Sequence, residues 1–294
     1  MDNLYKDILN KNKIECRKIT IKNNTRIIDS CDNRYVIKKK ENNNLDNIYN
    51  YLKSRGFDYF PSKIDENERY EVYEFIDEVD EPQSQKMSDI IYLLSLLHCK
   101  TSYYKEIDYD YYKEIYERLS NDINHLYRYY DELINNISHD IYMSPSSYLI
   151  ARNSSLIYKS LDYCYNKLLV WYDMVKDKKK IRNVIIHNNL SLDHFIKADK
   201  SYFISWNKAR FDNPIYDLLV LYNNHFLEFD FSELLIEYEK SYPLLKDERL
   251  LLFIMLLIPR EIKIDENEYN NCKNYSLYFD YLYKSYNLIS SYKK

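Results

Sequence analysis

The sequence predicts an α+β protein of two lobes, a small β-rich lobe over residues 1–76 and a larger helical lobe over residues 77–294. Three observations carry this expectation. β-branched clusters bounded by Asn and Asp occupy residues 14–38 and 61–76, the pattern of short paired strands. From residue 90 onward apolar residues recur at helical steps of three and four. A chain of 294 residues with 46% apolar content can also bury a large core.

The elements follow in order. Ile19, Thr20 and Ile21, then Arg26, Ile27 and Ile28, flank the polar turn Lys22, Asn23, Asn24 and Thr25, which reads as a hairpin. Tyr35, Val36, Ile37 and Lys38 supply the next strand. Leu45, Ile48, Tyr51 and Leu52 fall on one helical face. Gly56, the single glycine, sits just past them, where a left-handed cap needs a residue without Cβ. Residues 61–65 and 70–76 read as a strand pair. After Pro82, Gln83 and Ser84, a strongly apolar helix carries Ile90, Ile91, Leu93, Leu94, Leu96 and Leu97 and ends at His98.

Two longer seams follow. Ile115, Leu119, Ile123, Leu126, Tyr130, Leu133 and Ile137 form one, and Ile157, Leu161, Cys164, Leu168, Trp171 and Val175 form the other. Joined at Met143, Ser144 and Pro145, they predict an antiparallel helical hairpin. The charge run at residues 176–180 reads as a solvated turn before a strand at Val184, Ile185 and Ile186. Strands at 195–197 and 202–204 come next, and helices return from Pro214. The longest apolar run, residues 250–258, falls far short of the ~20 residues a membrane span needs, so it predicts a buried helix.

Composition narrows the function. A net charge of −4 argues against a nucleic-acid partner, and no membrane partner is expected. The 35 tyrosines, with abundant Asn, Lys and Ile, match the AT-rich codons of a low-GC bacterial genome; tyrosine joins a large ring to a hydroxyl that needs a partner, so it can fill cores and interfaces. The five cysteines are widely spaced and form no C-x-x-C pair. They read as reduced, buried thiols of a soluble cytoplasmic protein, without zinc or redox motifs. The first residues carry no apolar signal core.

The chemistry concentrates in residues 187–207. This stretch begins His187, Asn188, Asn189, Leu190, Ser191, Leu192, Asp193, His194, Phe195, and reaches Ser205, Trp206 and Asn207 after an apolar strand. It resembles the catalytic loop and metal-binding strand of the aminoglycoside phosphotransferase and choline kinase superfamily, including its spore-coat kinase-like branch, where the pattern reads roughly H-G-D-x-x-x-x-N and then I-D-F/W-D. Other segments resemble the family in the same order. Lys38, after Tyr35, Val36 and Ile37, resembles the lysine that pairs with the nucleotide phosphates. Tyr73, Glu74, Phe75 and Ile76 resemble the hinge that meets adenine. Residues 93–98 resemble an L-x-x-L-H helix end, and residues 211–218 the G-D-P-x-x-D-L segment, whose final aspartate, Asp217 here, braces the catalytic loop. The resemblance implies a bilobal protein-kinase-like fold with ATP as its cofactor, at Lys38, Glu74, Phe75 and Ile76.

The frame is kept and its charges are not. The base position holds Asn189, the first metal-ligand position His194 and the second Ser205, with Asn207 two residues on. Phosphoryl transfer needs an acceptor base or orienter and hard oxygen ligands for Mg²⁺. Asn189 takes no proton, which removes a general-base effect of ~10²–10⁴-fold. His194 offers a borderline nitrogen, and Ser205 and Asn207 offer neutral oxygens. Mg²⁺ is therefore not expected, and ATP binding is expected to be weak. Asp193 reads either as a displaced base or as a loop cap. His187 is expected to brace the loop through a side-chain hydrogen bond. Lys38 reads equally as a phosphate partner or an ordinary strand lysine, since Glu41 and Asp46 offer it no clear partner. The 22–25 turn has no glycine to let backbone approach a phosphate.

Two functional readings follow. In the first, the protein is a catalytically impaired, pseudokinase-like binder or scaffold whose partner is a nucleotide or a protein, and it is spore-coat related by analogy. In the alternative it is an active ATP-dependent phosphotransferase with an atypical metal site, acting on an amino sugar or amino alcohol, with Asp212 and Asp217 the nearest carboxylates for a cationic acceptor.

Overall fold

Alternation along the N-terminal strands decides which faces they bury. The computed structural model describes residues 3–22, 25–31, 33–40 and 45–292, so Asn23 and Asn24 of the first turn, and Glu41, lie outside the described residues. In chain order the elements are α1 (Asn3–Lys11), β1 (Lys18–Lys22), β2 (Thr25–Asp29), β3 (Arg34–Lys39), α2 (Leu45–Ser54), β4 (Lys63–Glu66), β5 (Tyr70–Glu74) and α3 (Gln83–Thr101). Then come β6 (Tyr103–Glu106), α4 (Tyr111–His139), α5 (Pro145–Val175) and β7 (Lys180–Ile186). A 3-10 turn at Leu192–His194 leads into β8 (Phe195–Lys197) and β9 (Ser201–Phe203), and a second at Trp206–Lys208 into β10 (Arg210–Asp212). The chain ends with α6 (Ile215–His225), α7 (Phe231–Ser241), α8 (Lys246–Leu257) and α9 (Glu268–Tyr292). The fold is mixed α and β, with a small antiparallel N-lobe and a large helical C-lobe.

Two compact units divide the chain. The first holds residues 1–101 together with 185–211, and the second holds 102–184 together with 212–294. In the first unit a five-stranded antiparallel sheet runs in the order β1-β2-β3-β5-β4. Period-two alternation places Ile28, Ile37 and Val72 on one face, where Ile8, Leu9 and Ile14 bury them. Tyr73 and Glu71 occupy β5 positions across from Val36 and Lys38. Tyr49 of α2 shares a hydrogen bond with Tyr73, whose hydroxyl donates to the buried Glu71 carboxylate at 2.9 Å. α2 ends where Gly56 takes φ +68, a left-handed value that costs an L-residue about 1–2 kcal/mol. The Lys100 ammonium donates to the Gly56 carbonyl and so ties α3 to that cap.

The second unit is organised on the α4–α5 hairpin. All six seam positions of α5 from Ile157 to Val175 are buried, and α5 also packs against α8 and α9. Ser144 caps α5, its hydroxyl accepting from the Ser147 amide at 3.2 Å with Pro145 at the first helical position. β6 pairs antiparallel with β7, from Tyr103↔Asn183 to Glu106↔Lys180. Arg182 on β7 meets Glu248 of α8 in a bidentate pair and lies 4.4 Å from the Tyr242 ring centroid.

Several expectations are corrected. α1, β6 and β10 were not legible in the sequence. The cysteines are not a uniformly buried set: Cys164 is buried and Cys272 half-buried, but Cys16, Cys31 and Cys99 are exposed. Cys16 precedes the edge strand β1, Cys31 follows β2, and Cys99 lies in the last turn of α3. The 176–180 run is not simply solvated. Lys178 pairs with Asp247 at 2.8 Å, where the aspartate side chain is only 12% exposed, and Lys180 opens β7 opposite Glu106. Among the described residues no helix is long and apolar enough to cross a membrane.

Candidate functional site

The 187–207 loop is built around a buried tryptophan. Trp206 is 2% exposed and its indole N–H donates to the Phe203 carbonyl at 2.8 Å. Its ring meets His187 edge-on at 4.7 Å and Phe57 and Phe60 at 6.2 Å each, within the range of favourable aromatic pairs. His187 is fully buried, and its Nε2 lies 2.9 Å from the Ile204 carbonyl. A carbonyl only accepts, so Nε2 carries the proton. His187 thus ties the start of the loop to the end of β9.

Asn189, Ser205 and His194, the residues the motif resemblance singles out, are joined through main-chain carbonyls. The Asn189 side-chain amide donates to the Ser205 carbonyl at 3.3 Å. His194 Nδ1 lies 2.5 Å from the Asn189 carbonyl, which makes Nδ1 the protonated nitrogen. The His194 backbone also spans the turn, its N–H donating to Ser191 and its carbonyl accepting from Ile204 at 3.0 Å.

Two backbone positions are left-handed. Asn188 has φ 55, and Asn is among the side chains that tolerate that region. Ser205 has φ 66 and ψ 48, which a serine adopts at a cost of order 1–3 kcal/mol. The turn at Ser205 lets Trp206 enter the core while the preceding carbonyl reaches His187 and its own reaches Asn189. Asn207 is half-buried in the following 3-10 turn. Asp193 is exposed in the Leu192–His194 turn.

Of the expected nucleotide residues, Lys38 lies on β3 and Glu74 ends β5, with Phe75 and Ile76 just beyond it. Lys38 pairs in register with Glu71, and its ammonium is 6.0 Å from the Tyr73 ring centroid. The α2 carboxylate Asp46 pairs with Lys63 of β4. At the hinge, the Glu74 N–H donates to Ser62 at 3.1 Å and the Phe75 N–H to Arg34 at 3.2 Å, so both serve strand pairing. The Arg34 guanidinium sits 4.3 Å from the Phe75 ring centroid. Glu74 and Phe75 line a depression of about 590 Å³ with Cys31, Arg34, Tyr35 and Ile64. Lys38 and Ile76 are not in its lining.

Asp217 and Asp212 belong to the second unit. Asp217 is fully buried in the first turn of α6, and Asp212 is half-buried at the end of β10. Sequence reasoning missed the Tyr49–Tyr73–Glu71 network and the Trp206 cluster. The one available signal was Asn188 standing where the motif has glycine, which already marks a left-handed residue.

The donor set does not fit Mg²⁺. That ion takes oxygen ligands in octahedral geometry, usually one or two carboxylates with phosphates and water. Here the corresponding positions offer an imidazole whose Nδ1 is committed to a carbonyl, a neutral hydroxyl and neutral amides. Among the described residues no group of three or more His, Cys, Asp or Glu side chains is arranged to hold a metal ion.

No protein-family model matches the sequence, and comparison with curated proteins finds no match. Solved structures do match. An aminoglycoside phosphotransferase from Alicyclobacillus acidocaldarius subsp. acidocaldarius DSM 446 superposes with a TM-score of 0.67 at 11% identity, covering 96% of this chain and 93% of that one. The AMP-bound complex of spectinomycin phosphotransferase APH(9)-Ia gives 0.57 at 12% identity, covering 96% and 98%. The same enzyme with ADP and spectinomycin gives 0.52 at 12% identity, with the same coverage. The chain has the bilobal fold of the aminoglycoside phosphotransferases.

Proposed function

We propose that this protein is a catalytically impaired, pseudokinase-like member of that fold, retained for binding rather than for phosphoryl transfer. The observation that carries the reading is the inward bonding of Asn189, Ser205 and His194, three positions where the resembled motif places a base and two metal ligands. Preorganised charge is the largest catalytic contribution in reactions of this class. A site in which a carboxamide and an imidazole are held on main-chain carbonyls supplies little of it.

Nucleotide is the ligand to test first. The solved relatives include AMP and ADP complexes, and Lys38 keeps its place on β3. Affinity is low in this reading, because the hinge N–H groups of Glu74 and Phe75 already serve strand pairing. A spore-coat setting is suggested by the motif resemblance alone. Immunolocalisation to the coat layer tests that setting, and a signal confined to the vegetative cytoplasm refutes it.

The activity test is direct. Phosphoryl transfer from ATP to amino sugars and amino alcohols, and ATP hydrolysis, should stay at the level of the Lys38→Ala variant. Transfer by the native chain that Lys38→Ala abolishes would establish the active alternative.

A further inference from the structure

Within the second compact unit, the start of α4, the start of β7 and the first turn of α8 line a cavity of about 320 Å³. That lies at the low end of the ~300–1,000 Å³ of small-molecule sites. Two of its residues are almost wholly buried and carry a polar group left without a bond. Tyr112 is 6% exposed, its ring held edge-on against Trp171 at 5.9 Å, and among the described residues its hydroxyl has no hydrogen-bond partner. Asn213 is 7% exposed, and its side-chain oxygen accepts from the Ile215 N–H at 3.1 Å. Its NH₂ group has no partner among the described residues. Neither polar atom is sealed inside the protein, so the accessible part of each side chain is its donor.

The charges of the lining favour the same kind of ligand. Lys178, Lys180 and Arg182 face two carboxylates, Asp247 and Glu248, and both carboxylates are already engaged. Asp247 pairs with Lys178 at 2.8 Å, and Glu248 takes the Arg182 guanidinium in the bidentate pair. Lys180 has Glu106 at 3.6 Å, between side chains 58% and 85% exposed, a pair of little strength. The first amides of α8, which find no partner within their own helix, add partial positive charge. The cavity therefore has one weakly engaged cation and two unused donors to offer, and these come from three different elements. Asn213 also stands where the resembled G-D-P-x-x-D-L segment has its first aspartate, so this chain presents a donor in place of an anion.

We propose that this cavity binds a small oxyanion of the phosphate class, free or as a small monoester, whose oxygens accept from Tyr112, Asn213 and Lys180. No residue of the 187–207 loop lines it, and the inference does not rest on the proposed function.

The test is calorimetric titration of the full chain with inorganic phosphate and with glycerol phosphate, at constant ionic strength, with sodium chloride and glycerol as controls. Saturable binding of phosphate is expected, with neither control binding. Tighter binding of the ester would identify an esterified ligand, and equal binding the free ion. Tyr112→Phe keeps the ring and removes only the hydroxyl. Asn213→Asp keeps the oxygen that caps α6 and replaces the donor with an anion. Each should weaken phosphate about tenfold or more, as expected for a lost bond to a charged group. Lys180→Gln should weaken it too, whereas Lys159→Gln, the same charge change at an exposed position of α5, should leave it unaltered. Circular dichroism confirms that each variant is folded. The proposal is overturned by a phosphate response no greater than that of chloride, or by binding that survives both Tyr112→Phe and Asn213→Asp.

Discussion

The Asn189 side chain donates its amide hydrogen to the Ser205 carbonyl at 3.3 Å. Both residues stand where the resembled motif has carboxylates, and the bond ties the Asn189 side chain to the main chain at the second of those positions. The contact gives Asn189 a structural role that aspartate cannot take over, because a carboxylate has no N–H to donate. Asn189→Asp should lower stability by about 1–2 kcal/mol, read from urea unfolding, as an anion replaces the donor facing a carbonyl. An unchanged midpoint would show that the bond contributes nothing.

Restoring the whole constellation should have the opposite functional effect. Asn189→Asp with Ser205→Asp and Asn207→Asp returns three carboxylates to the loop and gives Mg²⁺ oxygen ligands. The triple variant should show Mg²⁺-dependent stabilisation by ATP and measurable ATP hydrolysis, and the native chain in the same assays should show neither. Equal hydrolysis by native and restored proteins would place the native chain among active enzymes.

Ser205 offers a test of stored strain. At φ 66 its Cβ is disfavoured, whereas glycine is at ease there. Ser205→Gly should be more stable than Ser205→Ala by about 1 kcal/mol, a reversal of the usual alanine advantage. Gly56→Ala provides the mirror case. Its added Cβ would meet only the Lys100 ammonium, at 3.6 Å, so any loss there reports the φ of +68 and not crowding.

Arg182 and Glu248 form a buried pair with side chains 10% and 3% exposed. Arg182→Ala strands the carboxylate and should cost about 3–5 kcal/mol in chemical denaturation. Replacing both partners by apolar residues of similar volume should recover most of that loss. Additive losses in the double variant would contradict this account.

Much of the fold was legible, and the reasons differ by element. The α4–α5 seam showed because six buried positions in α5 repeat at steps of four and three, a signal long enough to exceed local noise. Gly56 marked its cap because one glycine in 294 residues has few other uses. α1 was invisible: nine residues rich in Asn and Lys have little helical tendency alone, and the helix exists because Ile8 and Leu9 cover the sheet. At the site, motif order identified the frame and the missing charges. It did not show that the Asn189 and His194 side chains bond to main-chain carbonyls of the same loop, whose path includes two left-handed residues, Asn188 and Ser205.

The tyrosines predict a sharp alkaline limit. Burial pushes Tyr163, Tyr242 and Tyr278 up to about 12 from 10.0, and it raises fully buried Tyr238 as well. A folded-state pKa above the unfolded value gives stability that is complete below pH 10 and is lost as pH rises toward 12. Absorbance of tyrosinate should therefore rise gradually near pH 10 as exposed residues such as Tyr109 and Tyr142 ionise, and then in a cooperative step with loss of helical circular dichroism. Complete ionisation with the fold intact would show that the buried hydroxyls reach water.

A thermal-shift titration with ATP and ADP, each with and without Mg²⁺, decides whether the 187–207 loop holds a metal centre. Ligand at 100 times its Kd stabilises a fold by ~2.7 kcal/mol, well within detection. If the loop holds no metal, whatever shift a nucleotide gives is the same in both arms. A shift that appears only with Mg²⁺, or grows strongly with it, would mean that the loop still binds the metal with its nucleotide.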